Sequence, residues 1–233
     1  KILDERVSRI IYFIGKAGLE PIVIGGGHNN TAMSFAVVAG GESNAAESNY
    51  SSISGGWENF VGNNAIGATI GGGHFNEVTQ TFALVAGGEK NAASAKFAVT
   101  VGGETNTANG QHSAIVSGKR NVADSKFSVV VGGEFNEASN SHAVVGGGRD
   151  QLASGQDSFV GGGWRNVASA TGVFVGGGWE NTGSDAFAMI GGGSLNVAEG
   201  DFSVISGGKS NSAIGTDSTI GGGVDNTALG EGS

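Results

Sequence analysis

One short motif, Gly-Gly-x-x-Asn, returns along nearly the whole chain, and its period sets what the chain can fold into. The Asn stands at Asn30, Asn44, Asn59, Asn76, Asn91, Asn106, Asn121, Asn136, Asn166, Asn181, Asn196, Asn211 and Asn226, with Gln151 in the one vacant place. The first three spacings are 14, 15 and 17, and the next ten are all 15. Two residues after the Asn comes a small apolar residue such as Ala93, Ala108 or Ala123, with Val78 and Gly183 as variants. Seven after it comes Ala or Ser, as at Ala83, Ser113 and Ser128, and nine after it a β-branched residue, as at Val85, Ile115 and Val130. This unit is too short for a helix pair and lacks the 3.6-residue pattern of one long helix. It suits one coil of an all-β parallel β-solenoid, with two strands of four or five residues, each closed by a turn.

Stacking in parallel puts equivalent residues about 4.8 Å apart, so about 14 coils predict a rod roughly 65 Å long. The Gly runs supply φ > 0 and let neighbouring backbones approach. Asn76, Asn91, Asn106, Asn121, Asn136, Asn166, Asn181, Asn196, Asn211 and Asn226 are then expected to form a structural ladder at one turn, amide bonding to amide. The uneven spacings place a lost residue near Met33–Ser34 and two gained residues within Gly62–Gly67.

Composition narrows the function. Gly contributes 46 of 233 residues but Pro only one, which excludes collagen. Hydrophobic content of 38% with 14% charged residues argues against plain disorder. The chain has no Cys, which removes disulfides, thiolate zinc sites and Cys nucleophiles. A net charge of −9 with no basic stripe argues against a nucleic-acid partner. No run of 18 apolar residues is present, so no membrane contact is expected of it. A start at Lys1 without Met leads us to expect a fragment of a longer protein.

The strand before each Gly run is apolar on both sides. Leu84, Val99, Val129, Val144, Phe159, Phe174, Met189 and Val204 stand eight after the Asn, and Phe82, Phe97, Phe127, Phe187 and Phe202 stand six after it. With period-2 alternation these would share one face while places seven and nine share the other. One narrow coil has an interior for only one set. The other is expected to form a long apolar stripe, which several copies would bury on a common axis. The strand around the Asn instead carries Glu89, Glu104, Lys119, Glu134, Arg149 and Lys209 outward, and is expected to face water.

Two stretches, Phe127-Ser128-Val129-Val130-Val131-Gly132-Gly133-Glu134-Phe135-Asn136-Glu137-Ala138 and Asp217-Ser218-Thr219-Ile220-Gly221-Gly222-Gly223-Val224-Asp225-Asn226-Thr227-Ala228, carry a resemblance. They resemble the head repeats of trimeric autotransporter adhesins, whose motif runs Asn-Ser-Val-Ala-Ile-Gly-x-x-Ser-x-Ala-x-Gly. The Gly-Gly-Gly spelling resembles the subgroup with GGG repeats, and Asn here stands where the motif has its second Ser. Over about residues 24–233 the resemblance implies a left-handed β-roll, a homotrimer, display at the bacterial outer membrane, and binding of host extracellular matrix protein or glycan. Similar repeats in phage tail fibres imply receptor recognition as the alternative.

Residues 1–24 fall outside the repeat, which occupies 25–233. Ile2, Leu3, Val7, Ile10, Ile11 and Ile14 predict an amphipathic helix over 3–16, and Pro21-Ile22-Val23-Ile24 a short strand. Helix, strand and Gly25-Gly26-Gly27-His28 resemble a ureohydrolase fragment, in which His28 would be a manganese ligand. The Asp-x-His-x-Asp and Asp-x-Asp runs of that family are missing, so no metal site is expected. The segment is expected to cap the first coil, either as a native part of the array or spliced onto it.

Chemistry elsewhere is sparse. His112 and His142 lie two coils apart, about 10 Å, too far to share a metal. No Walker loop or Gly-x-Ser-x-Gly elbow occurs, and the unit is not the nine-residue calcium repeat. We therefore expect no enzyme and no cofactor. Trp57, Trp164 and Trp179 share the place two before the Asn. They either pack over the Gly turns or form an exposed aromatic step for sugars or protein.

Overall fold

The computed structural model describes Ile11–Tyr12, residues 21–230 and Gly232, and in it the chain winds as an all-β parallel solenoid of about 14 coils. It divides into two compact units, Lys1–Thr105 and Asn106–Ser233. Three parallel ladders run through each, one more than the period suggested. In the second unit the first ladder runs from Ala114–Ile115 to Thr219–Ile220 and the second from Thr107–Ala108 to Thr227–Ala228. The third is made of single residues two before each Asn, among them Lys119, Glu134, Arg149, Trp164 and Trp179. The first unit repeats the plan, with Val23–Ile24 to Val99–Thr100, Thr31–Ala32 to Ala92–Ala93, and His28 to Glu104.

The solenoid strands are two residues long, not four or five, because a left-handed residue interrupts the chain before each strand of a full coil. Phe127 (φ 58°) precedes Val129–Val130, and Phe135 (φ 58°) precedes Glu137–Ala138. These residues reverse the sense of the ladder. The strand amides donate forward, Val129 to the Ala143 carbonyl at 2.9 Å and Glu137 to that of Gln151 at 2.9 Å. Phe127 and Phe135 donate backward, to Gln111 at 3.1 Å and Lys119 at 3.0 Å. Each left-handed non-Gly residue costs on the order of 1 kcal/mol, and the bond to the preceding coil offsets it.

The core is one side chain wide. Ile115, Val130, Ile190 and Ile205 from the first ladder are fully buried, as are Ala108, Ala123, Ala198 and Ala213 from the second. Their strand neighbours point outward, which is why strand after strand pairs a more exposed residue with a buried one.

Both irregular spacings sit in turns and leave the ladders in register, Ile24 facing Val38, Val38 facing Ile53, and Ile53 facing Ile70. At the deletion, Ala36 N–H donates to the Met33 carbonyl at 3.0 Å, the same turn that Ala98 closes on Ala95 at 3.1 Å. The two gained residues make a second such turn, Ala65 donating to Gly62 and Ala68 to Ala65, both at 3.0 Å.

Of the helix expected over 3–16, only Ile11–Tyr12 lies within the described residues, and it is a strand antiparallel to Val23–Ile24. The apolar run around it is rich in β-branched and aromatic side chains, which suit an open sheet edge as well as a helix face. Val23–Ile24 is itself the first rung of the first ladder, paired with Val37–Val38, so the stack begins inside the segment assigned to 1–24.

Candidate functional site

The Asn residues line the inside of the coil, just before the second-ladder strand, and their bonding is structural. Asn181 Nδ2 donates to the carbonyls of Gly177 (2.9 Å) and Gly193 (3.0 Å) and to Asn166 Oδ1 (3.0 Å). Its Oδ1 accepts from the backbone N–H and the Nδ2 of Asn196, both at 3.0 Å. Asn76, Asn196 and Asn211 repeat this pattern of donors, and Asn226 keeps it toward the preceding coil. Asn91, Asn121, Asn136 and Asn166 keep both carbonyl acceptors, and Asn106 donates to Gly118. At Asn121 the first of those two carbonyls belongs to Ser117. The Gly three before the Asn permits this. At Gly163 (φ 94°) a Cβ would land on the Gly178 carbonyl oxygen and 2.9 Å from Asn166 Nδ2.

Gln151 keeps half of the arrangement. Its N–H donates to Asn136 Oδ1 and its Oε1 accepts from Asn166 N–H, at 3.0 and 2.9 Å. The extra methylene turns Nε2 away from the two Gly carbonyls to the carbonyl of Arg149 at 3.2 Å.

Outward from the first ladder of the second unit stand Ala114, Val129, Val144, Phe159, Phe174, Met189 and Val204, an unbroken apolar column. Phe159 and Phe174 stack at 5.2 Å between centroids. The residues six after the Asn are not on this strand, as alternation predicted, but on the left-handed residue before it. They still face outward, with Phe82, Phe187 and Phe202 more than half exposed at 56%, 52% and 54%. They stack along the coils, Phe82 on Phe97 at 5.6 Å and Phe187 on Phe202 at 5.3 Å. His112 and His142 flank Phe127 at 5.1 and 5.2 Å, and His142 Nδ1 meets Asp157 Oδ1 at 3.1 Å. The ring between the two imidazoles accounts for their separation.

The charged residues assigned to the strand around the Asn stand instead on the third ladder. Beside it lies a second charged column, where Lys90 donates to Glu89 at 2.9 Å and Arg165 Nη1 meets Glu180 Oε1 at 3.3 Å. The bond to Glu89 raises the Lys90 pKa above its ordinary value.

The three Trp residues also lie on the third ladder and are partly exposed, at 41%, 38% and 41% for Trp57, Trp164 and Trp179. Trp57 meets His74 edge-on at 5.9 Å and Phe75 at 4.9 Å. Trp164 and Trp179 are nearly parallel, at 7° and 5.9 Å. Trp164 Nε1 donates to Asp150 Oδ2 at 3.2 Å, and the Arg165 guanidinium lies 4.5 Å over its ring. Sequence reasoning missed Asp150, Arg165 and Glu180, because which neighbours reach an indole depends on the left-handed turn beside it.

His28 is exposed and bridges Glu42 on the third ladder, three rungs from His74. Among the described residues no group of three or more His, Cys, Asp or Glu could hold a metal ion. No helix among them is long and apolar enough to cross a membrane. The chain matches no protein-family model and no curated protein.

Proposed function

We propose that this solenoid is an adhesive surface scaffold: a homotrimer displayed at a bacterial outer membrane that binds host matrix protein or glycan through many weak contacts. What is shown is a repetitive β-solenoid framework, a type of fold often used structurally. The observation that carries the rest is the apolar column of the first ladder, from Ala114 to Val204, flanked by Phe127, Phe187 and Phe202. Seven consecutive rungs at about 4.8 Å make a continuous stripe of a kind that soluble monomers seldom leave in water. Association of copies along it removes the stripe from solvent, while the charged third ladder stays outside. Repeated outer columns then offer equivalent contacts on every coil, and affinity comes from multivalency. In this reading the chain carries no catalysis.

Light scattering after gel filtration of the whole chain is expected to give about three times the 23.0 kDa monomer. A stable soluble monomer would overturn the trimer. For adhesion, binding to matrix proteins or glycans should fall gradually as successive outer residues are replaced. One substitution that abolishes all binding would overturn the distributed contact.

A further inference from the structure

Asn109 and Gly110 form the one Asn-Gly step in the chain, and the coil requires its Gly. A Cβ on Gly110 would land on the Ser125 carbonyl of the next coil. With no side chain there, two successive amides reach one acceptor. Asn109 N–H donates to the Ala123 carbonyl at 2.8 Å, and Gly110 N–H to the same oxygen at 3.1 Å. Ser154 with Gly155, Glu199 with Gly200 and Ile214 with Gly215 share a carbonyl in the same way. Of these four first residues, only Asn109 carries an amide. Its side chain is exposed and reaches across to the next coil, Nδ2 donating to Asp124 Oδ1 at 2.9 Å.

An Asn followed by Gly is the step most open to deamidation, because no side chain on the second residue hinders the approach of its nitrogen. We propose that Asn109 is a deamidation site, held in check by its bonds to Asp124 and Ala123, and that the reaction opens this coil irreversibly. The Gly110 backbone nitrogen loses its proton and bonds to Asn109 Cγ, the Cγ–Nδ2 bond breaks, and ammonia leaves. Water then opens the resulting succinimide at either carbonyl, giving Asp or isoaspartate. In the fold, the nitrogen that attacks has its N–H engaged with Ala123, and the amide that must turn toward it is tied to Asp124. Both bonds have to open first, so the folded chain reacts slowly. Once it has reacted, the contact cannot reform. A carboxylate replaces the amide donor and faces Asp124 across about 4.8 Å, one rung of the stack, where like charges repel. Isoaspartate also adds a carbon to the main chain between the two amides, which then no longer converge on Ala123. Asn109 follows the second-ladder strand Thr107–Ala108, so the proposal is independent of the apolar column and of the trimer.

The test holds the full chain in warm, mildly alkaline buffer, with and without urea. Peptides spanning Asn109 are followed by mass spectrometry for amide-to-acid exchange and for isoaspartate. Conversion is expected in both samples, about ten- to a hundredfold slower in the folded chain because two bonds must open. Asp124→Ala should speed the folded chain about two- to fivefold and leave the rate in urea unchanged. Asn109→Ser, the residue found at Ser154, should remove the reaction and keep the fold. Deamidated chain, separated by its added charge, should lose hydrogen-exchange protection at the 109 and 110 amides, while Ser154 and Gly155 keep theirs. Equal rates with and without urea, or an unchanged rate in Asp124→Ala, would overturn the restraint. A folded chain still intact at Asn109 after about a hundred half-lives of the unfolded one would overturn the site. Protection retained in the deamidated chain would overturn the opening of the coil.

Discussion

Val173 and Gly183 exchange sizes across the core, and the exchange can be tested quantitatively. In neighbouring coils the place seven after the Asn is Ala or Ser, and the facing place two after the next Asn is Ala, as in Ala188 with Ala198. Here the first is Val173, 1% exposed, and the second is Gly183. A Cβ on Gly183 would lie 2.5 Å from Val173 Cγ1, well inside contact distance. Gly183→Ala alone should therefore overpack the coil and cost about 1–3 kcal/mol. Val173→Ala alone removes two buried carbons at about 0.8 kcal/mol each, and the cavity raises the loss to about 2–3 kcal/mol. The double variant restores the Ala–Ala pair of the adjacent coil and should fall within about 0.5 kcal/mol of the natural chain. The singles sum to about 4 kcal/mol, so the coupling is of that size and opposite in sign. Urea midpoints give the global values. Because repeat arrays can open locally, exchange of the Phe174 and Ser184 amides, which donate to Ala188 and Ala198, gives the local ones. Additive singles, or a stabilising Gly183→Ala, would show that the pair does not share space.

Three further outcomes concern the Asn column, the Ser places seven after it and the Gly turns. Gln151→Asn should return two Gly carbonyls to the amide at the loss of one bond to Arg149 and one methylene, for a net gain of about 1 kcal/mol in urea unfolding. A loss would mean the Gln is better fitted than its bonds indicate. The buried hydroxyl of Ser203 has no partner, so Ser203→Ala should raise stability by about 1 kcal/mol, whereas Ser128→Ala, which removes a 2.7 Å bond to the Ser125 carbonyl, should lower it by about as much. Equal effects at the two sites would show that the Ser203 hydroxyl finds an acceptor by rotating. Gly163→Ala, placed at φ 94° against the Gly178 carbonyl, should cost at least about 3 kcal/mol, while Gly162→Ala, whose Cβ would come no closer than 3.9 Å to anything, should cost under about 1 kcal/mol.

What the sequence made legible is what repeats under a steric or hydrogen-bonding requirement. The Asn column, the Gly three before it and the β-branched places are periodic because each coil needs the same amide and the same narrow core. They led directly to a parallel solenoid, and the spacings of 14 and 17 to the turns at Met33 and Gly62. The strand length was not legible, because the left-handed residues that shorten the strands are Phe, His, Lys, Arg, Glu and Thr as readily as Gly or Asn. A composition-based turn signal cannot see a conformation held by a bond to the preceding coil. The third ladder was hidden for a similar reason, since one residue per coil has no alternation to read. The helix over 3–16 failed where it can be checked, at Ile11–Tyr12, because an open sheet edge offers a β-branched segment a partner that helical spacing alone does not reveal.

The same division separates architecture from recognition. Inward places admit few residues: the lone Gln in the Asn column loses two carbonyl bonds, and the lone Val in the Ala or Ser column needs a Gly opposite. Outward places admit nearly anything, because the ladder bonds are backbone bonds and the side chains above them meet solvent or the next rung. On the third ladder of the second unit the run from Lys119 to Val224 takes in an acid, bases, two indoles, a Ser and a Val without breaking register. Along such a column, contacts between equivalent side chains are set by the identities of adjacent rungs. Two indoles in succession stack on each other, whereas an indole followed by Ser gains no ring contact from the rung itself. What the third ladder presents is therefore set by which side chains fall on successive rungs, as where the stacked pair of Trp164 and Trp179 is followed by Ser194 and then Lys209.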